Sequence, residues 1–339
     1  MFPGGIMNRS DRREVSAFAK RALGRKVLDI EYPGGKTRDS VRLILPAGRS
    51  VIATRRPSDR RAEHEVRVLK ALREGGAPVP KVYAFNGTIL LQQDLGTERL
   101  SQSLHDPEYA KRIPELLDAS LAAMAAVHAA AAKTDLADDL PVIGGEPGWC
   151  QGLASVPDEV GEMSGIQPPA YDRDAVAEVI KVRKPAFVKW DSRPGNALIA
   201  GSGRAYWFDW EHCGLRNAVD DFVWLMADEF VTHVPDMEAR LFDAYLMAFA
   251  DGQSRDETER YVRILGCFHT CVRLELILDN KGSGDWWSLR KCLDGDKVGI
   301  TRRCCRRILR RAAAWADFDP ITRPLIPWYQ DLEAYIERI

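Results

Sequence analysis

The pattern of apolar and polar residues divides the chain into a strand-rich first part and a helix-rich remainder. Apolar residues that recur every three or four positions predict helices over residues 11–23 and 58–74. Five short apolar or alternating segments predict strands in the same part of the chain, over residues 27–32, 41–45, 50–54, 81–85 and 88–92. The first part is therefore predicted to be a sheet accompanied by helices.

Beyond residue 95 the apolar spacing becomes mainly helical. Helices are predicted over residues 101–105, 113–132, 172–182, 236–250 and 256–279. Residues 141–170 are rich in glycine and proline, which predicts an insertion or an irregular connection. The remainder is thus predicted to be helical, except for two short strands around residue 200.

These two strands, over residues 197–199 and 205–208, surround a glycine-containing turn and predict a hairpin. The hairpin brings together Asn196 at its start and Asp209 at its end, and Asp191 precedes Asn196 by five positions. Such a triplet suits phosphoryl transfer, because one carboxylate can take the proton of a hydroxyl while an amide and a second carboxylate bind Mg²⁺ on ATP. The spacing matches the D-x-x-x-x-N loop and the metal-binding Asp of kinases.

Composition allows two domains or lobes with cores of their own, since the chain has 339 residues and 45% hydrophobic side chains. No apolar run approaches the roughly 18 residues of a membrane span, so none is predicted. The first residues carry no apolar segment of signal-peptide length, and a cytoplasmic location is expected. Seven cysteines without a C-x-x-C pair are expected to be reduced thiols.

Charge is unevenly distributed although the net charge is −1. Residues 1–96 hold 19 basic and 10 acidic side chains, whereas residues 97–289 hold 18 basic and 32 acidic ones. A basic first part suits a polyphosphate, and an acidic middle part suits Mg²⁺ and a cationic acceptor. Ordinary solvated faces account for most of the individual charges.

The segments around the triplet read Lys189-Trp190-Asp191-Ser192-Arg193-Pro194-Gly195-Asn196 and Phe208-Asp209-Trp210-Glu211. They resemble the aminoglycoside phosphotransferase and choline kinase-like family, whose segments read roughly H-G-D-x-x-x-x-N and I-D-W-E. The resemblance implies an α+β, protein kinase-like bilobal fold with an N-lobe over residues 1–94 and a C-lobe over 95–339. It also implies that ATP and Mg²⁺ are used to phosphorylate a hydroxyl of a small molecule.

Site residues follow from the same resemblance. Asp191 is expected to be the catalytic base, Arg193 to face the γ-phosphate, and Asn196 and Asp209 to bind Mg²⁺. The residues expected to bind the nucleotide are Gly34 and Gly35 in the phosphate loop, Arg55 in place of the usual lysine with Glu65 as its partner, and Gln93 and Asp94 at the hinge. Arg56 is the alternative to Arg55. Asp221 is expected to brace the catalytic loop.

Two departures from the family pattern matter for catalysis. Lys189 stands where the family has histidine, and Arg55 stands where it has lysine. We hypothesise that Lys189 supplies the cation that the third strand lacks. The two departures leave a nucleotide-binding pseudokinase open as an alternative.

His128 is interpreted as a packed helix residue, because the sequence places no acid beside it.

The acceptor is not specified by the sequence. Amino sugars, aminoglycosides and choline-like alcohols are expected classes, and carboxylates with nearby tryptophans could bind their cations. The candidates are Asp228, Glu229, Glu275, Asp279, Trp286 and Trp287. An arginine stripe recurs every four residues, at Arg302, Arg303, Arg306, Arg307, Arg310 and Arg311.

The arginine stripe is interpreted as a solvated or ion-paired face, and a nucleic-acid partner is not expected because no aromatic residues interleave it. A regulator that acts on macromolecules through this stripe is a further alternative. No D-F-G and A-P-E segment follows Asp209, which argues against a protein kinase.

Overall fold

A computed structural model of the protein describes residues 9–33, 35, 39–56 and 58–339. The fold is α+β and has a small N-lobe with one antiparallel sheet and a larger, mainly helical C-lobe. This architecture confirms the α+β, kinase-like bilobal fold that was predicted. The N-lobe sheet ends at Gln93, one residue before the predicted lobe boundary.

The N-lobe sheet has five strands in the order β1-β2-β3-β5-β4. Its strands are β1 (Asp29–Glu31), β2 (Ser40–Leu45), β3 (Arg49–Arg55), β4 (Val82–Phe85) and β5 (Ile89–Gln93). The turn between β2 and β3 places Ala47 and Gly48 at φ of 64° and 65°, a conformation that matches the twist of a tight hairpin. Helix α1 (Arg9–Leu23) packs Val15 and Phe18 against one face of this sheet.

Helix α2 (Asp59–Glu74) connects the two lobes. Its residues Val66, Leu69 and Leu72 belong to the large core of the C-lobe, not to the core beneath α1. At its C-terminal end the chain passes very close to the C-lobe, since a Cβ added to Gly75 would lie 2.9 Å from the Cβ of Ala130. This packing anchors α2 and the residues on it against the catalytic lobe.

The C-lobe contains eleven of the described helices. They are α3 (Leu100–Ser103), α4 (Ile113–Ala131), α5 (Leu136–Asp139), α6 (Trp149–Ser164), α7 (Arg173–Ile180), α8 (Asp220–Met226), α9 (Pro235–Tyr245), α10 (Arg255–Lys281), α11 (Leu289–Asp294), α12 (Arg302–Ala316) and α13 (Ile326–Arg338). Helix α6 corrects the prediction of an irregular connection over residues 141–170. Its apolar face is buried against α7 and α10, and that packing overrides the glycine and proline content.

Four short strands carry the candidate chemistry in the C-lobe. They are β6 (Ala186–Val188), β7 (Ala197–Ile199), β8 (Ala205–Trp207) and β9 (Gly214–Arg216). Strands β7 and β8 form the predicted antiparallel hairpin, and β6 pairs with β9. The loop that begins after β6 and the residues that follow β8 therefore lie side by side.

One segment of the described chain, Pro107–Ala131, is long and apolar enough to cross a membrane by length and composition. It includes α4, whose Leu117, Leu121 and Val127 are fully or almost fully buried. Helix α4 contacts α2, α9 and β8. These contacts account for its apolar character within the core of the C-lobe.

Candidate active site

The loop after β6 is held in an uncommon backbone conformation. Trp190 and Asp191 have φ of 54° and 51°, and Asp209 has φ of 63°, values that are rare for residues other than glycine. Asp221, at the start of α8, accepts hydrogen bonds from the backbone amides of Lys189 and Trp190 at 2.7 and 2.9 Å. The bracing role predicted for Asp221 is confirmed by these contacts.

Asp221 also accepts a hydrogen bond from His128 at 2.9 Å. The premise that no acid lies beside His128 is therefore wrong, because α4 and α8 bring the two together from positions 93 residues apart. The interpretation of His128 as a packed residue is confirmed by its burial between Phe187 and Phe249. His128 thus supports the brace and lies behind the loop.

Asp191 is the carboxylate at the centre of the loop. Its Oδ2 accepts a hydrogen bond of 2.8 Å from Nδ2 of Asn196, and the same nitrogen donates to the carbonyl of Asp191 at 3.0 Å. Nε of Arg193 lies 3.4 Å from Oδ1. The side chain of Asp191 is 25% exposed, so its carboxylate is both oriented and reachable.

The side chain of Lys189 contacts the backbone of both Asp191 and Asp209. Its Nζ is buried and donates to the carbonyls of Asp191 and Asp209, at 3.3 and 3.0 Å, and lies over the ring of Trp210. Burial lowers the pKa of Lys189, while the carboxylates of Asp191 and Asp209 oppose that shift. A fully buried ammonium bound to two carbonyls braces the backbone, so our hypothesis that Lys189 supplies the missing third-strand cation is wrong for this structure.

The cation at the end of the third strand is Arg56. It donates to Glu65 at 2.8 and 3.1 Å, to Asp209 at 2.6 Å and to Glu211 at 2.9 Å. Arg56 and Glu65 are almost completely buried. Burial by itself would lower the pKa of Arg56, but these carboxylates raise it well above its usual value.

The expected pairing of Arg55 with Glu65 is therefore corrected to Arg56. Side chains alternate between the faces of a strand, and Arg55 follows the buried Val51 and Ala53 on the face that α1 covers. Arg55 accordingly approaches Asp11 and Glu14 of α1, each at 3.8 Å. The next residue faces the opposite way and reaches α2.

Asp209 and Asn196 were predicted as ligands of Mg²⁺, and their chemistry fits that ion. Burial disfavours the charge on Asp209, but Arg56 and Lys189 hold the pKa of its carboxyl well below the usual value. Nδ2 of Asn196 is committed to Asp191, which leaves Oδ1 as the remaining polar atom. Within the described residues no cluster of three or more His, Cys, Asp or Glu side chains could hold a metal. Mg²⁺ commonly combines one or two protein ligands with phosphate oxygens.

Arg193 and the loop around Asn196 are fixed by a distant residue, Asp296. Its carboxylate contacts Arg193 at 3.2 Å through both Nη atoms and Arg99 at 2.7 Å. Gly195 is required here, because a Cβ at this position would collide with the Asp296 carboxylate and would lie 2.8 Å from Nη1 of Arg193. Burial opposes the charge of Arg193, but Asp296 and Asp191 raise its pKa above the usual value.

The remaining nucleotide residues are placed as follows. Gly34 lies outside the described residues, and Gly35 has φ of 90° and donates its amide to the carbonyl of Tyr32. The Gln93 amide donates to Lys81, so this amide is not the hinge donor in the structure. The Asp94 carboxylate binds Arg42 at 2.6 Å and accepts from the amide of Gly96.

Arg99 was not predicted, yet it touches both lobes. It donates to the carbonyl of Pro33 at 3.4 Å and to that of Gly195 at 2.8 Å, and it lies over the ring of Phe208. Arg99 thus joins Pro33, next to the predicted phosphate loop, to the loop that contains Asp191 and Asn196, and Asp296 binds Arg99 there. No sequence signal indicated either residue, because both act through contacts between distant segments.

The carboxylates considered for the acceptor are mostly engaged. Glu229 is buried and bound by Arg273 at 2.6 and 2.9 Å. Asp228 accepts from the amide of Phe230 at 2.8 Å. Burial and the adjacent Glu229 raise the pKa of Asp228 to about 8. Burial also disfavours the charge of Glu229, but Arg273 lowers its pKa to about 2.

The other acceptor candidates lie along α10 and beyond it. Burial and the neighbouring Glu159 raise the pKa of Glu275. Trp286 donates to the carbonyl of Ile339, and Trp287 lies beneath the ammonium of Lys291 at 3.5 Å. The partners named here, Glu159, Ile339 and Lys291, all lie outside the loop of Asp191.

Contacts within the C-lobe occupy much of the arginine stripe on α12. Arg311 is fully buried and donates to Glu238 at 2.9 Å. Arg306 and Arg310 both pair with Glu333 of α13, at 3.3 and 2.7 Å. These contacts support an ion-paired structural face over a docking site for nucleic acid.

With this geometry in place, the sequence identifies the family. Residues 30–260 match the profile of the phosphotransferase enzyme family. The chain belongs to this family. A comparison with curated proteins gives no match.

Solved structures share the fold at low sequence identity. A candidate aminoglycoside phosphotransferase from Ralstonia eutropha JMP134 is 16% identical with a TM-score of 0.56, over 91% of this chain and 98% of its own. The amicoumacin kinase hAmiN, solved with AMP-PNP and Ca²⁺, is 13% identical with a TM-score of 0.54, over 87% and 98%. An ADP-bound aminoglycoside phosphotransferase is 12% identical with a TM-score of 0.52, over 86% and 98%.

Proposed function

We propose that the protein is an active phosphotransferase that uses MgATP to phosphorylate a hydroxyl of a small molecule in the cytoplasm. The observation that carries this proposal is the double hydrogen bond from Asn196 to Asp191, at 2.8 and 3.0 Å. It orients a partly exposed carboxylate beside the two residues best suited to Mg²⁺. The nucleotides bound to similar folds, AMP-PNP and ADP, support ATP as the donor.

In this mechanism Asp191 accepts the proton of the acceptor hydroxyl while the hydroxyl oxygen attacks the γ-phosphorus of ATP. A bond forms between that oxygen and phosphorus, the bond from phosphorus to the bridging oxygen of ADP breaks, and the electron pair leaves with ADP. Arg193 lies 3.4 Å from Asp191 and can stabilise the charge on the transferred group. Bound through Asn196 and Asp209, Mg²⁺ would neutralise phosphate charge.

Arg56 is assigned to the ATP α- and β-phosphates in place of Arg55. It keeps the contact with Glu65 that positions such a cation, and it reaches Asp209 at the same time. A guanidinium binds phosphate through several donors in a plane, whereas lysine acts as a point charge. The substitution therefore changes the geometry of phosphate binding but preserves its charge.

A nucleotide-binding pseudokinase is the second candidate. It is favoured by one observation, the contact of 2.6 Å between Arg56 and Asp209, which engages a predicted Mg²⁺ ligand in an ion pair. In an active enzyme this contact must rearrange or share the carboxylate when MgATP binds. In a pseudokinase the ion pair persists in the presence of nucleotide.

The test is Mg²⁺-dependent release of ADP from ATP, with and without a panel of small alcohols, by the full chain and by Asp191→Ala. We expect Asp191→Ala to lose about 10²- to 10⁴-fold in turnover while MgADP binding, measured by calorimetry, is retained. Ser202→Ala, in the turn of the hairpin, is the surface control. No turnover by the unmodified chain with intact nucleotide binding would establish the pseudokinase instead. Unchanged turnover in Asp191→Ala would show that Asp191 is not the catalytic base.

A further inference from the structure

An aromatic side chain lies directly beside the catalytic carboxylate. Trp190 precedes Asp191 and adopts φ of 54°, where a bulky residue is strained, and the family that the loop resembles has glycine at this position. The ring of Trp190 lies 5.2 Å from that of Trp224 in a T-shaped contact and 6.4 Å from that of Trp149. The strained backbone thus coincides with an aromatic cluster at the reacting end of the site.

Trp224 also contacts His269, which has a buried ring nitrogen without a hydrogen-bond partner among the described residues. Its ring lies 4.5 Å from that of His269 on α10. His269 is 7% exposed, and in the described part of the chain its Nε2 has no hydrogen-bond partner. Burial and the nearby Arg273 lower the pKa of His269 to about 3, so the imidazole is neutral. A buried polar atom without a partner is costly unless a ligand or water completes it.

The same residues lead back to Asp191 through charged groups. Arg273, one helical turn after His269, holds Glu229 in a buried bidentate pair. Burial opposes the charge of Arg193, but Asp296, Asp191 and, with a smaller effect, Glu229 raise its pKa. The Nε of Arg193 lies 3.4 Å from Asp191. We call Trp190, Trp224, His269, Arg273, Glu229 and Arg193 the acceptor circuit. Its first member, Trp190, directly precedes Asp191 in the chain, and its last member, Arg193, lies beside the carboxylate of Asp191.

The acceptor circuit is poorly suited to a cation. Its carboxylate, Glu229, has a guanidinium partner in Arg273, and burial together with the adjacent Glu229 raises the pKa of Asp228. An internal cation already lies near two of the rings, because the guanidinium of Arg216 lies 4.5 Å from the ring of Trp149 and 5.6 Å from that of Trp190. Arg216 is in turn paired with the buried Asp220, as Glu229 is with Arg273, so neither carboxylate is left to pair with a positively charged acceptor.

The circuit does offer apolar surface. The side chains of Trp190 and Trp224 are only partly buried, in contrast to the fully buried Trp207 and Trp210 of the same lobe. Aromatic faces bind flat apolar groups in offset or edge contacts, and their burial contributes most of the affinity. A neutral imidazole adds one directional hydrogen bond.

We infer that Trp190, Trp224 and His269 form the acceptor subsite and that the acceptor is an uncharged alcohol carrying an aromatic ring. This inference rests on the proposed function and specifies its substrate class. The ring packs on the two tryptophans, a polar group of the acceptor bonds to Nε2 of His269, and the hydroxyl lies at Asp191. Amino sugars, aminoglycosides and choline are disfavoured by the same geometry.

Four probes separate ring from charge: phenylalaninol, N-acetylphenylalaninol, alaninol and N-acetylalaninol. All carry a primary alcohol, two have a ring, and acetylation removes the positive charge. The quantity to be measured is kcat/KM, from ADP release that depends on the probe. The value for N-acetylphenylalaninol should be at least about tenfold higher than the value for each of the other three probes. A preference for alaninol or phenylalaninol, or for choline and glucosamine added as reference cations, would overturn the inference.

The matched variant is Trp190→Gly, since glycine adopts the observed φ without strain. It should raise KM for N-acetylphenylalaninol by about tenfold and leave KM for N-acetylalaninol within about twofold. Trp286→Phe, another half-buried tryptophan, should change neither value. An unchanged KM in Trp190→Gly, or the loss in Trp286→Phe instead, would contradict the subsite.

Binding measured without turnover separates this inference from the proposed function. Calorimetric titration of the four probes into Asp191→Ala with Mg²⁺ and AMP-PNP should show tightest binding for N-acetylphenylalaninol, and Trp190→Gly should abolish that preference. If this binding is found but the unmodified chain releases no ADP with the probes or with the panel of small alcohols, the subsite stands and the proposed function fails. If phosphorylation occurs without this preference, the subsite fails and the proposed function stands.

Discussion

Arg56 of the N-lobe donates a hydrogen bond of 2.6 Å to the carboxylate of Asp209 in the C-lobe. The same guanidinium holds Glu65 on α2, so one side chain connects the strand, the helix and the candidate metal ligand. This ion pair therefore joins the N-lobe to the C-lobe. We expect the proposed nucleotide site to depend on Arg56 and not on its neighbour Arg55.

Arg56→Gln should weaken MgADP binding by about 10- to 100-fold, the effect of losing one or two charge-assisted hydrogen bonds. It should also lower the free energy of unfolding by about 3–5 kcal/mol, because buried Glu65 loses its partner. Calorimetry and urea unfolding measure the two effects. Arg55→Gln is the matched control and should cost less than about 1 kcal/mol. Equal effects of the two variants would contradict the assignment.

Lys189→Met should lower the free energy of unfolding by about 1–3 kcal/mol, because the carbonyls of Asp191 and Asp209 lose their buried donor. Turnover should fall more than MgADP affinity, since the buried Nζ of Lys189 is bound to the carbonyls of Asp191 and Asp209. Lys189→His restores a donor and should recover part of both losses. Full turnover in Lys189→Met would show that the brace is dispensable.

Asp228→Asn should change the dependence of stability on pH. Burial raises the pKa of Asp228 from 3.8 to about 8, so the folded state retains a proton that the unfolded state releases. The folded state is therefore destabilised as pH rises between about 4 and 8. Because Asn does not titrate, the free energy of unfolding of the variant should increase over this range relative to that of the unmodified chain. Denaturant midpoints at pH 5, 7 and 9 measure the gain, which should increase with pH.

Glu229→Gln is the control for Asp228→Asn, and its effect on stability at neutral pH should have the opposite sign. Arg273 lowers the pKa of Glu229 from 4.5 to about 2, against the effect of burial. Its charge stabilises the folded state above about pH 4.5, and that contribution is lost as pH falls towards 2. Glu229→Gln should thus be less stable than the unmodified chain at pH 7, by an amount that shrinks at low pH. A gain in stability at pH 7 would contradict the ion pair.

Asp296→Asn should lower kcat about tenfold or more while MgADP affinity changes less, because Asp296 positions Arg193 and Arg99 through their guanidinium groups. Arg193→Lys should give a similar loss, since lysine cannot form the bidentate contact. Combining the two changes should cost less than the product of the single effects, as expected for residues that act together. Independent effects that multiply would show that Asp296 acts elsewhere.

The central triplet could be predicted from the sequence because it is local. Asp191, Asn196 and Asp209 span 19 positions and are connected by one loop and one hairpin, so their spacing along the chain constrains their positions in space. Asp221 follows shortly after, and its bracing role was expected from the resemblance to the family. Most strands and most helices were equally visible, since amphipathic periods of two and about 3.6 residues are properties of short segments. The short pair β6 and β9 was not predicted, because its two strands meet from positions about 28 residues apart.

The choice between Arg55 and Arg56 was decided only by the tertiary structure. Both arginines stand at the end of β3, and a shift of one residue moves a side chain to the other face of the sheet. Which face meets α2 depends on how α1 covers the opposite face. The sequence contains both arginines but no local signal that ranks them.

The sequence by itself determined the N-lobe strands, the catalytic hairpin, the longest helices, the candidate phosphoryl-transfer triplet and the family pattern, all of which are encoded in neighbouring residues. Tertiary structure alone brought Asp296 to Arg193, Asp221 to His128, and His269 to Trp224. These contacts join helices and loops that lie 45 to 103 positions apart, and they depend on packing between whole elements. Local periodicity fixes which face of a helix is apolar, but only the assembled core decides which partner that face meets.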